Sequence, residues 1–157
     1  MAVFDTLAWL GKGLAAVAYA ASDSTSSIQV IGEYLTAVGT PLYTLVGTRV
    51  KSPVAPKGWT NTTAAILYQC TERAHASDSY ARFVTCTFKC YGGSALPSDA
   101  VAVYEALVTR LHGVSNDTSA SGRIAGAFLS LSSLSEMEEE TGWPFARAQY
   151  DIHIQKI

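Results

Sequence analysis

The stretch RFVTCTFKCY, Arg82–Tyr91, alternates without a break. Val84, Cys86, Phe88 and Cys90 fall on one side, and Phe83, Thr85, Thr87 and Lys89 on the other. Successive side chains of a strand point to opposite faces, so this pattern predicts a strand with one buried and one exposed face. Such a half-covered strand belongs to an antiparallel sheet with a second layer on one side only. Downstream, Gly92-Gly93 ends the strand. Pro97 and Ser98 then open a helix, with Asp99 in the first turn where the helix dipole favours an anion. Val101, Tyr104, Leu107, Val108 and Leu111 form its expected apolar stripe, and Gly113 is placed to cap its end.

Upstream, Thr71 to Tyr80 is polar and reads as a long hairpin loop. Ala64 to Cys70 reads as a strand with Ile66, Tyr68 and Cys70 on one face. Val50 to Thr63, with Pro53, Pro56 and Gly58, reads as a loop. A short helical stretch is expected over Leu42 to Val46, closed by Gly47. Ile28, Ile31, Leu35 and Val38 predict an amphipathic helix ended by Gly39 and Pro41. Towards the C-terminus, Val114 to Ser121 is a polar loop and Ile124 to Leu134 a third strand. Glu136 to Trp143 reads as an acidic turn. Phe145 to Ile154 reads as a fourth strand, with Ala146, Ala148, Tyr150, Ile152 and Ile154 inward and Arg147, Gln149, Asp151 and His153 outward. The order helix, hairpin, helix, hairpin predicts an α+β domain: a four-stranded antiparallel sheet from two hairpins, with two helices packed on one face.

Residues 1–27 are expected to form a separate N-terminal helical extension and linker, and 28–157 the domain. Met1 to Ala21 is mostly apolar, but Asp5 leads it and Lys12 interrupts it. A secretory signal needs a positive leading region, and a membrane span needs a longer apolar run. The segment therefore reads as a helix docked on its own domain or on a partner. Ser22 to Ser27 forms a polar break after it.

The chain has 157 residues, enough to bury a core without disulfide or metal. It is 48% hydrophobic but only 15% charged, with net charge −2. An average soluble protein carries about 25% charged residues. A large neutral surface suits burial against neighbouring subunits. The cations are scattered, which argues against a phosphate-gathering patch and hence against nucleic-acid binding as the main function. The cysteines are three, Cys70, Cys86 and Cys90. Their odd number argues against a disulfide framework. Cys86 and Cys90 are separated along the strand by about 13 Å, too far for a bridge or a shared metal. All three are expected as small buried hydrophobes in a reducing compartment.

Motifs for chemistry are missing. The histidines His75, His112 and His153 share no metal spacing. The chain carries no nucleophile elbow, no H-E-x-x-H, no phosphate loop and no dinucleotide fingerprint. Inward cysteines are poorly placed as nucleophiles. Asn61-Thr62-Thr63 is a glycosylation sequon without a secretory signal beside it. The expectation is a non-enzyme without cofactor or metal.

The stretch LYTLVGTRVKSPVAPKGWTNTTAAILYQ, Leu42 to Gln69, resembles the tail terminator, or tail completion, proteins of long-tailed bacteriophages. In that family a helix leads into a GTRV segment, here Gly47 to Val50, followed by a Pro-containing loop and the first strand. Later elements agree in order: the alternating strand, a helix opening after Pro-Ser-Asp and ending LVTRLHG, an acidic Trp-containing turn, and a last strand ending RAQYDIHIQ. The resemblance runs from about Ile28 to Ile157, and Met1 to Ser27 departs from it. It implies a homo-hexameric ring in the virion neck, assembled in the host cytoplasm. Such a ring caps the head-proximal end of the tail tube and joins tube protein to the head connector, or stopper, protein. The genome passes through its lumen without specific binding, and no membrane is involved. Another neck or head-completion adaptor is the alternative, and a small soluble enzyme a more distant one. Under this reading Phe83 and Thr85 are candidates for a subunit contact. The loop residues Glu72, Arg73, His75, Asp78 and Tyr80 are candidates for reaching the tube or the next subunit. Glu136, Glu138, Glu139 and Glu140 are either a solvated turn or a lumen lining whose repulsion of phosphates lets DNA slide.

Overall fold

The computed structural model describes residues 27–72 and 81–156. The N-terminal extension, most of the expected hairpin loop and Ile157 lie outside the described residues.

Residues 27–35 are helical (α1) and bury Val30, Ile31, Tyr34 and Leu35. The expected stripe is thereby corrected, because Ile28 is only half-buried and Val38 is 80% exposed. The helix stops after Leu35, where the Thr36 hydroxyl donates back to the Gly32 carbonyl at 2.8 Å, and Gly39 turns the chain at φ +89°. Side-chain hydroxyls that bond the backbone in this way compete with helix continuation. A second helix, α2 (Pro41–Val46), starts at once. Thr40 caps it by accepting from Tyr43 N, proline occupies its first turn, and Gly47 closes it. Then come β1 (Val50–Lys51), β2 (Ala65–Glu72), β3 (Ala81–Tyr91), α3 (Pro97–Leu111), β4 (Asp117–Thr118), β5 (Gly122–Met137) and β6 (Pro144–Lys156).

The expected four-stranded antiparallel sheet with two helices is corrected. Among the described residues the sheet is six-stranded, mixed and curled, in the order β1-β2-β3-β6-β5-β4, and three helices accompany it. Its parallel pair is β1–β2, with Val50 opposite Ile66. Both edge strands span two residues, too few for any alternation to show, and each lies in a stretch that reads as loop.

The inner face holds the core. Val84, Cys86, Phe88 and Cys90 of β3 lie beside Ala146, Ala148, Tyr150, Ile152 and Ile154 of β6, all buried as the alternation predicts. From the helices come Val30, Ile31, Leu35, Leu42, Leu107 and Leu111. Each full burial of such a side chain contributes about 1.5–3 kcal/mol. In α3 the most buried positions are Ala100, Val103, Leu107 and Leu111: Leu107 and Leu111 belong to the expected stripe, while Ala100 and Val103 replace the half-buried Val101, Tyr104 and Val108. Gly92 lets α3 begin close to β3: a Cβ there would meet the backbone of Asp99 and Ala100. Arg110 ties α3 to α1, donating from Nη2 to the Tyr34 carbonyl at 3.0 Å and stacking 3.6 Å from the ring centroid. Burial, and then a hydrogen bond to Asp117, push the Tyr34 hydroxyl up to about 12.

The cysteine expectation is also corrected. Cys70 and Cys86 are partners across β2 and β3, with Cα atoms 4.1 Å apart, and their sulfurs are bonded. Cys90 is free and buried. Spacing along one strand says nothing about a partner on the next.

Candidate interface surfaces

The outer face of the sheet carries no helix among the described residues, and the sequence-predicted Phe83, Thr85, Glu136 and Glu138 lie there, whereas Glu72 is on the inner face beside Ser27. Glu72 ends β2 and pairs with Arg82 at 2.7 Å, both side chains largely covered. Arg73, His75, Asp78 and Tyr80 lie outside the described residues. Phe83 is 37% exposed and meets His153 edge-on, ring centroids 4.2 Å apart. Thr85 donates to Asp151 Oδ1 at 2.8 Å. Phe83 and Thr85 thus belong to a row of cross-strand contacts on the outer face, opposite His153 and Asp151 of β6.

The acidic run divides into two pairs. Glu136, in β5, accepts two bonds from Arg147 at 2.6 and 2.8 Å, a forked geometry that fits carboxylate to guanidinium. Glu138 begins the turn, which reaches across β6 to β3. It accepts from Lys89 Nζ at 2.8 Å and from the Tyr91 hydroxyl at 2.5 Å. Burial pushes the Glu138 carboxyl up, but the bonds from Lys89 and Tyr91 and the Lys89 charge outweigh it and hold it below the usual carboxylate value. Burial chiefly, with the Glu138 carboxylate second, raises Tyr91. Glu139 and Glu140 are exposed. Two carboxylates, not four, therefore face outward without an ion pair among the described residues.

That turn also walls a cleft of about 180 Å³ over the outer face of β2. Ala55, Trp59, Leu67, Tyr91 and Trp143 give it an apolar lining. Two of its polar residues, Arg49 and Asn61, are engaged in holding the fold, and Glu140 at its wall is exposed. Arg49 lies 4.3 Å from the Trp59 ring centroid and bonds the carbonyls of Thr60 and Thr63. Asn61 bridges Ser94 O and Gly93 N. The Arg49 Nε is buried without a partner. An adjoining cleft of about 270 Å³ is lined by Pro53, Val54, Leu67 and Gln69, and Val54 at its rim is 68% exposed. The signal for this site, the aromatic residues Trp59, Tyr91 and Trp143, is scattered over three elements and is not visible in any one of them.

The opposite flank was missed by sequence reasoning. Phe128, Leu129, Leu131, Leu134 and Met137, all in β5, are between 45% and 63% exposed. Among the described residues no group of three His, Cys, Asp or Glu side chains is placed to hold a metal, and no helix is long and apolar enough to cross a membrane.

No protein-family model matches the chain, and no curated protein matches it. Among solved structures, it is similar to a chain of the virion of a native gene transfer agent particle, with TM-score 0.59 and 16% identity, covering 81% of this chain and 92% of that one. The two chains share a fold.

Proposed function

We propose that the chain is a structural, non-catalytic subunit of a virion, and within the virion a ring-forming tail terminator. The observation that carries the reading is the shared fold with a gene transfer agent virion chain over 92% of that chain's length. The order of motifs from Gly47 to the final strand supports the finer assignment. In this role six copies close a ring on the end of the tail tube, one face against tube protein and the other against the head connector. The ring lumen passes DNA. Glu139 and Glu140 are the carboxylates free to repel phosphates there, since Arg147 and Lys89 neutralise Glu136 and Glu138. Arg49 and Asn61 of the 180 Å³ cleft bond their own chain, which favours a structural surface over a catalytic pocket.

Co-purification tests the assignment. The purified protein, added to tail tubes and to capsids in separate incubations, is expected to bind tubes and halt their growth at uniform length. Binding to capsids alone would replace the terminator with a head-completion adaptor. Binding to neither would remove the virion reading.

A further inference from the structure

The two flanks of the sheet differ in shape but not in chemistry. On one, β4 pairs only with Arg123 and Ile124 of β5. On the side away from β6, no described strand lies beside β5 from residue 125 to residue 137, so among the described residues its outward N–H and C=O groups are open. Long, apolar, open edges are templates for association, and proteins that stay monomeric blunt them with charge or proline. Here the edge reads Phe128-Leu129-Ser130-Leu131-Ser132-Ser133-Leu134. It carries no charge and no proline over that run. Its four exposed apolar side chains, with Met137 beyond them, offer about 100 Å² each, roughly 500 Å² together, at the upper end of what a monomer exposes. With the serines between them this approaches the roughly 800 Å² per partner of a stable interface.

On the other flank lie the two clefts beside β2, apolar and concave. An apolar cavity of about 150 Å³ accepts a benzene ring, so the 180 Å³ cleft has room for one leucine or phenylalanine side chain. A projecting apolar strand and an apolar pocket on opposite flanks of one chain are the two halves of a head-to-tail contact. Unlike patches of this kind propagate from copy to copy and close into a ring when the rotation allows.

We infer that β5 of one copy docks on the β1–β2 flank of the next, placing Leu131 and its apolar neighbours in the two adjoining clefts, which share Ala55 and Leu67 and are completed by Trp59 in one and Val54 in the other. The occupant is a second copy of this chain. The inference rests on the ring reading and names its interface.

The test uses the full chain and two variants. Leu131→Glu with Leu134→Glu blocks the strand, and Val54→Glu with Ala55→Glu blocks the cleft. All but the half-buried Ala55 are well exposed, so the fold is retained, checked by circular dichroism and melting. Leu131→Ser with Leu134→Ser serves as the milder strand variant. The wild type is expected to form a closed oligomer, and each variant alone a monomer, with self-association weakened about 100-fold or more by an unpaired charge in an apolar contact. Mixed one to one, the variants are expected to form a heterodimer and stop, because each keeps one working half. Rings formed by both strand variants as readily as by the wild type would overturn the inference and leave the ring reading standing. A wild type that assembles neither alone nor on tail tubes would remove both. Self-dimers of the cleft variant would show β5 pairing with β5 and overturn the head-to-tail contact. An outer β5 edge protected from exchange in isolated monomers would assign it to another segment of the same chain, which also overturns the inference.

Discussion

The two halves of β5 are one strand with two environments. From Gly122 to Ala127 it alternates buried and half-buried, with Gly122 and Ile124 inward; after a register shift at Ala125, Ala127 packs on the core and Gly126 lies on the outer face beside Phe128. From Phe128 to Met137 no residue is buried. The chain keeps apolar residues in both halves. In the first half they meet α1, α3 and the β6 side of the core. In the second half no described element covers them, and register shifts at Ser130 and between Ser133 and Glu136 break the alternation. Bulges of this kind re-aim side chains and twist a strand. Apolar residues that no described element covers are the ones the inference assigns to a neighbouring copy.

The largest expected effect contrasts the halves directly. Ile124→Ala, in the first half, is expected to cost about 2–5 kcal/mol of unfolding free energy, because a fully buried side chain leaves a cavity. Leu131→Ala, in the second, is expected to change monomer stability by no more than about 0.5 kcal/mol. Urea unfolding of both variants under monomeric conditions measures the difference, and equal costs would merge the two regions into one core.

A smaller effect separates two glycines of the first half. A Cβ at Gly122 would press on a Val30 methyl in the core, whereas one at Gly126 would touch only the ring edge of exposed Phe128. Gly122→Ala is expected to destabilise by about 1–3 kcal/mol as overpacking. Gly126→Ala is expected to cost clearly less, since the Phe128 ring can move away. Thermal melting of the pair checks the ranking.

The strand and face of β3 and β6 were legible because alternation over ten residues has no other cheap explanation. Phe88 and Ile152 are buried and Lys89 and Asp151 are not, as that pattern requires. What was not legible depends on which strand lies next to which. The Cys70–Cys86 bond and the Arg147–Glu136 and Lys89–Glu138 pairs all cross strands. A local reading of the acidic run sees four like charges and cannot see the two cations that face them. The edge strands β1 and β4 were lost for a related reason, since two residues are ordered by their neighbours and not by their own pattern.

The smallest effect concerns the turn that follows the second half of β5. The folded-state Glu138 value is lowered, so its bonds stabilise the turn above the ordinary carboxylate value of 4.5 and that contribution fades as pH falls through the lower folded value. Carboxyl titration by NMR is expected to place the Glu138 midpoint below 4.5. Lys89→Met is expected to raise it. A midpoint unmoved by that change would mean that Lys89 does not hold the turn.

The central claim, that the second half of β5 is a surface for a neighbouring copy, is most directly tested by hydrogen exchange along β5 across a dilution series. In the concentrated, assembled protein the outward-facing amides of residues 128–137 are predicted to be protected. On dilution to monomers they are predicted to exchange freely, while those of residues 122–127 facing β6 stay protected. Outward amides that exchange at the same rate in both states, fast or slow, would contradict the account.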